Sequence, residues 1–167
     1  VDGARYMSVE FTGDGIKNLT MDDRLSMANM GIECGAKNAI FPVDDIPRTY
    51  LDERVARPYK AYEADPDAVY AAEYSFDLGK IVPTVAFPHL PSNTRPAAEA
   101  GDVAIDQVVI GSCTNGRISD MAAAAEIFKG RKVAKGVRAL VIPATPKIYR
   151  EAMKAGYIDI FMDAGCA

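Results

Sequence analysis

The segment Gly111-Ser112-Cys113-Thr114-Asn115-Gly116 follows the apolar run Gln107-Val108-Val109-Ile110 and precedes a helical stretch from Ile118 to Phe128. A loop in that setting lies at the carboxyl end of a strand, where open α/β sheets place their ligands. The helix after it presents unpaired N–H groups and the positive end of its dipole. A cysteine held there is expected to ionise readily, so Cys113 reads as a nucleophile or as a metal-ligating thiolate. A phosphate-type glycine loop in which Cys113 is merely small is the other reading. The nucleophile needs a base, and the one histidine, His89, sits among prolines. Structural zinc and iron–sulfur centres take three or four ligands. Cys34 reads as a small buried apolar residue at a helix end, and Cys166 makes no Cys-x-x-Cys with Cys113. On the ligand reading the remaining thiolates come from beyond residue 167 or from another chain.

A second constellation is Asn29-Met30-Gly31-Ile32-Glu33, where Asn29 and Glu33 stand four residues apart and project together from one face of a helix. A carboxylate and an amide beside an apolar stripe, with Gly31 permitting close approach, suit a polar cleft. An exposed helix edge fits the same spacing. Asp44 and Asp45 read as a helix N-cap region. The basic run Lys129 to Lys135 reads as a solvated loop after a helix, where cations complement the carboxyl-terminal dipole.

These residues need elements to hold them. Tyr6 to Thr12 alternates as a strand and stops at Gly13-Asp14-Gly15. Thr20 with Asp23 has the spacing of a capping box, and Leu25, Ala28 and Ile32 form a stripe. The pattern predicts a helix from Met21 to Cys34, closed by Gly35. Asn38–Phe41 is expected as a strand, Pro42–Pro47 as a turn, and Arg48–Ala56 and Pro66–Tyr74 as helices. Phe76–Leu78 and Ile81–Ala86 are expected as strands. Pro88-His89-Leu90-Pro91-Ser92-Asn93-Thr94-Arg95-Pro96 reads as a linker. Beyond it the pattern is strand, helix, strand, helix, strand: Asp106–Ile110, Ile118–Phe128, Ala139–Pro143, Pro146–Ala155 and Ile158–Met162, the last a strand or a helix end. The expected class is α/β, with one domain over residues 1–100 and the first part of a parallel α/β unit over 101–167.

The whole chain is consistent with this reading. Its 167 residues are 49% hydrophobic and 25% charged, the balance of a globular protein rather than a disordered one. The net charge of −4 gives no basic footprint for nucleic acid, and no apolar run is long enough to span a membrane. Three widely spaced cysteines without a signal sequence point to a reducing cytoplasm.

The segment Val109-Ile110-Gly111-Ser112-Cys113-Thr114-Asn115-Gly116-Arg117-Ile118-Ser119-Asp120 resembles the cluster-binding segment of the aconitase superfamily. Asn29-Met30-Gly31-Ile32-Glu33 resembles that family's Asn-Met-x-x-Glu. Glu10-Phe11-Thr12-Gly13, Gly35-Ala36-Lys37, Pro88 to Asn93, Lys129 to Val133 and Val141-Ile142-Pro143-Ala144 follow the order of the isopropylmalate dehydratase large subunits, in their shorter, archaeal-type form. The resemblance implies an aconitase-like three-layer α/β/α fold, incomplete at both ends. It implies a hydro-lyase that isomerises 2- and 3-isopropylmalate by dehydration and rehydration at a 4Fe-4S cluster, in leucine biosynthesis. Homoaconitase, another dehydratase of the family, and a non-catalytic anion-binding or assembly module remain as alternatives. By the same resemblance Cys113 is one of three cluster ligands with Asn115 beside it, and Glu33 and Asn29 line the pocket. The partners implied are a small subunit and a hydroxy-acid substrate. The family's downstream Cys-x-x-Cys is not among these residues. The chain is therefore expected to be an internal piece of a large subunit, inactive alone.

Overall fold

The computed structural model describes residues 2–167. The fold is α/β and divides into two compact units, Val1–Gly101 and Asp102–Ala167.

In the first unit β1 (Ser8–Glu10) pairs in parallel with β2 (Asn38–Ile40), the crossover between them carrying α1 (Met21–Met30). The capping box forms as its spacing predicts. The Asp23 N–H donates to Thr20 Oγ1 at 3.2 Å, and the Thr20 N–H donates to the Asp23 carboxylate at 2.8 Å. The helix is shorter than expected. It stops at Met30 and tightens into a 3₁₀ turn, Gly31–Cys34, before Gly35 reverses the chain at φ +83°. A 3₁₀ turn advances faster per residue than an α-helix, so Ile32 leaves the Leu25/Ala28 stripe and is 67% exposed.

The organising contact of this unit is an ion pair. Arg24 is 1% exposed, and its guanidinium donates to both carboxylate oxygens of Asp44 at 2.8 Å and to the Ile16 carbonyl at 2.9 Å. Asp44 also caps α2 (Asp45–Asp52), accepting from the Ile46 N–H at 3.1 Å. The Asp44–Asp45 cap reading therefore holds, but α2 starts three residues before the expected Arg48. Its third residue is Pro47, which is tolerated in a first turn because the N–H there has no intrahelical partner. Phe11 and Phe41 stack beside the pair with ring centroids 4.6 Å apart.

Three expectations in this unit are corrected. Pro66–Tyr74 is not helical. No face of it is buried, Val69 being 96% exposed, and an isolated short helix without a packed face is marginal in water. Phe76–Leu78 is not a strand; a single 3₁₀ turn stands at Leu78–Lys80. Nor is the Pro88–Pro96 stretch a linker. β3 (Thr84–Ala86) pairs antiparallel with β4 (Thr94–Pro96), and Pro88–Asn93 is the turn between them, closed by the Phe87 N–H on the Asn93 carbonyl at 2.9 Å. Proline is admissible in β4 because a two-stranded ribbon consists of edge strands.

The second unit is built on β5 (Gln107–Gly111) and β6 (Arg138–Ile142), paired in parallel with Ile110 opposite Val141. One helical turn, α3 (Ser112–Asn115), follows β5 directly and leads into α4 (Ile118–Phe128); α5 (Pro146–Lys154) and α6 (Tyr157–Ala164) follow β6. Met121, Ala124, Ala125, Ala152 and Phe161 form the core, with Ile110 and Val141 packed on it from the sheet. Val109 and Ile142, on the sheet's other face, are 52% and 46% exposed. Of the two readings of Ile158–Met162, strand or helix end, the structure has the helical one. Gly156 takes φ +77° straight after α5, and the turn lets Tyr157, Phe161 and Ala164 share one buried face at helical spacing.

The Arg24 hydrogen bond holds the Asp44 carboxyl below the usual carboxylate range. A carboxyl depressed on folding stabilises above its unfolded value of about 3.9 and loses that stabilisation as pH falls through the folded value. Asp44→Ala should lower stability by about 2 kcal/mol at pH 7, less than a fully buried pair because Asp44 is partly exposed. Urea titrations at pH 7 and pH 3 should show the difference from wild type shrinking at acid pH.

Candidate functional site

The turn bearing Cys113 is made by glycines where no other residue fits. Gly111 ends β5 at φ +109°, and a Cβ there would stand 2.1 Å from the Ile142 carbonyl oxygen. At Gly116 a Cβ would lie 2.4 Å from the Ser112 carbonyl oxygen and 2.6 Å from the Ala144 nitrogen. The Gly116 carbonyl uses that proximity, accepting from the Ala144 N–H at 2.9 Å. The loop is thus pressed against the carboxyl end of β6 at both of its ends. Between them Ser112 is held at φ +75°, a conformation that costs a non-glycine residue about 1–2 kcal/mol. Strain of this kind persists where the surroundings over-determine the backbone, and it collects at functional sites.

The consequence is exposure of Cys113 and Asn115 at the carboxyl rim of the parallel pair. Cys113 Sγ lies 3.9 Å from Thr114 Oγ1. Asn115 reaches toward Asp120, its Nδ2 3.5 Å from Oδ1, while Asp120 Oδ2 accepts the Arg117 N–H at 2.9 Å. Asp120 is the residue that reading the motif missed. An acid at the third position of α4 after Arg117 is a helix-start signal, and it ties the end of the cysteine turn to α4. Cys113 stands directly after β5, in the one-turn helix α3 that precedes the long helix α4.

The other two cysteines are placed differently. Cys34 Sγ donates to the Gly31 carbonyl at 3.1 Å inside the 3₁₀ turn, a structural role. Cys166 packs against the core of the second unit, and burial pushes its thiol up. No cysteine is in a disulfide. Among the described residues no group of three or more histidines, cysteines, aspartates or glutamates is arranged to hold a metal ion. Of the three cysteines Cys113 is the exposed one, on a turn whose backbone is fixed at both ends.

Asn29 and Glu33 belong to the first unit, and both are exposed. The change of pitch after Met30 separates them around the axis by about 80° instead of the roughly 40° of a continuous helix. They flank the same end of α1 without sharing one face. His89 is exposed in the β3–β4 turn.

Comparison with known proteins gives a consistent answer. A model of the aconitase family (aconitate hydratase) matches residues 1–102 and 93–167. The chain is 61% identical over 167 residues to the 3-isopropylmalate dehydratase large subunit of Acetivibrio thermocellus, covering all of this chain and 40% of that protein. It is 61% identical over 166 residues to the protein of the same name from Lachnoclostridium phytofermentans, covering 99% and 39%. To that of Heliobacterium modesticaldum it is 58% identical, covering 100% and 40%. The chain thus spans about 40% of the length of the curated relatives it matches.

Two substitutions should move stability in opposite directions. Gly111→Ala should destabilise the second unit by more than about 3 kcal/mol, since backbone must shift to admit the methyl group. Ser112→Gly should stabilise by about 1 kcal/mol through relief of the positive φ. Chemical unfolding followed by circular dichroism checks both. Alkylation of the folded chain read by peptide mass spectrometry should label Cys113 at least tenfold faster than Cys166.

Proposed function

The chain belongs to the aconitase family, and on that premise we propose that it is the central part of the large subunit of a hydro-lyase that interconverts 2- and 3-isopropylmalate in leucine biosynthesis. The observation that carries this reading is the Cys113 turn, a strained and glycine-clamped cysteine loop at the rim of a parallel strand pair. The whole-chain identity of about 60% to large subunits of that name supports isopropylmalate as the substrate.

A 4Fe-4S cluster, when bound, supplies an iron that acts as a Lewis acid on a carbon–oxygen bond of the substrate. Cys113 fits as one of its thiolate ligands, and the other two belong to the part of the large subunit outside these 167 residues. Preorganisation is what this chain contributes. The clamp at Gly111 and Gly116 fixes the turn before any ligand arrives, so little conformational entropy remains to be lost on binding. Asn115, beside Cys113 on the same turn, offers a neutral amide donor there, and Asp120 orients it. In the first unit we assign Glu33 to the proton of the hydroxyl that leaves and returns, and Asn29 to hydrogen bonding near the cluster. A carboxylate suits that task because it accepts a proton and gives it back to the same oxygen.

The enzyme further requires a small subunit to complete substrate binding, and we place it in the cytoplasm. Among the described residues no helix is long and apolar enough to cross a membrane.

The test uses the full large subunit reconstituted anaerobically with iron and sulfide and assayed with its small subunit on isopropylmaleate. Cys113→Ser should abolish the cluster's visible absorbance and all turnover. Glu33→Gln should keep the absorbance and lower kcat by a factor of about 100 or more. A Cys113→Ser protein that retains both a full cluster and its activity would end this reading.

A further inference from the structure

The carboxyl-terminal residue of the second unit makes two backbone hydrogen bonds that no helix or turn requires. The Ala167 N–H donates to the Ala139 carbonyl at 2.8 Å, and the Val141 N–H donates to the Ala167 carbonyl at 2.9 Å. One residue that donates to position j−1 and accepts from position j+1 of a neighbouring chain is the repeat unit of a parallel ladder. Ala167 is therefore in parallel register with Leu140. The side of β6 it occupies is the one opposite β5: backbone groups alternate along a strand, and Arg138 faces β5, its N–H donating to the Asp106 carbonyl at 2.8 Å.

We propose that β6 is an interior strand, and that its edge beyond Ala167 is the docking site for the polypeptide that follows Ala167 in the large subunit, added as a third parallel strand. This rests on the reading of the chain as part of a longer subunit. The relatives it matches over its whole length are about two and a half times as long. Parallel addition of the same polypeptide needs a crossover connection, and α5 with α6 already provides one, delivering the chain to this edge in the right direction.

The edge also sets how long the new strand is. The next acceptor on that side of β6 is the Val141 carbonyl, which takes the N–H of the second residue after Ala167. The next donor position is Pro143, which has no N–H. The ladder therefore closes about two residues past Ala167, and the chain leaves the sheet at the rim that carries Gly111–Gly116 and the Pro143–Pro146 turn.

Residue-resolved hydrogen exchange on the full large subunit with its small subunit tests this. In the wild type the Val141 amide should be protected at least as strongly as the Ile110 amide. Ala167→Pro removes the N–H on Ala139 and should speed exchange at Val141 at least tenfold with little change at Ile110, whereas Ala167→Val should leave both protected. Should Ala167→Pro fail to fold, a cysteine pair decides. Ile142→Cys should form a disulfide with a cysteine at the second residue after Ala167, and far less with one at the third, as mapped by peptide mass spectrometry. Fast exchange at Val141 in the wild type, equal cross-linking at both positions, or Val141 protection that depends on protein concentration, as strand exchange with a second copy would give, overturns the proposal. None of these readouts uses the cluster or turnover. An inactive, cluster-free subunit with a protected Val141 would sink the functional reading alone, and an active enzyme with an unprotected Val141 would sink the strand alone.

Discussion

A side-chain carbon at Gly111 would stand 2.1 Å from the carbonyl oxygen of Ile142, well inside any contact that atoms make. That absence of space governs the second unit. Because β5 ends against the last carbonyl of β6, the chain must turn at once, and the turn is tight enough to leave Ser112 at φ +75°. The second close approach, at Gly116, then returns the chain to β6, where its carbonyl accepts from the Ala144 N–H, so the exit from β6 is positioned by the same loop. The exposure of Cys113, the start of α4 and the entry to α5 are all downstream of two missing methyl groups.

The two units achieve order by different means. The second has an apolar core in which Met121 and Ala152 are wholly buried, and its three longer helices pack together around Phe161. The first has little of that. Its largest fully buried side chain is a guanidinium, and Arg24 on α1 joins a 3₁₀ turn, Asp14–Asn18, to the start of α2 through charge-assisted hydrogen bonds. An ion pair of this kind specifies geometry more than it adds stability, because the Arg24 charge must first be taken out of water. It suits a unit whose residues 53–83 contribute scarcely any buried surface.

What the residues reveal in advance follows from which forces are local. The capping box at Thr20 and Asp23, the Asp44 cap, the strand before Gly111 and the helix at Ile118–Phe128 are written in neighbouring side chains, and they stand where the pattern puts them. The cysteine turn is legible for the same reason, its glycines and its cysteine being contiguous. The misreadings are decided at a distance. Ile158–Met162 reads locally as either a strand or a helix end, and it is helical where Phe161 packs on the α4 core. The prolines of 88–96 read as a linker until β3 supplies a partner for β4. The shift of Glu33 away from Asn29 comes from a change of pitch after Met30, which no periodicity in the chain announces.

Val109 and Ile142 lie on the sheet face away from α4, α5 and α6, and about half of each is in contact with solvent. During synthesis that face is an adhesive. Parallel strands with apolar side chains on an unlayered face are among the segments that chaperones bind and that associate with their like when concentrated. While that face stays open to solvent, the molecule is exposed to such association. Low yields or inclusion bodies from these residues would reflect that surface chemistry rather than any defect in the core.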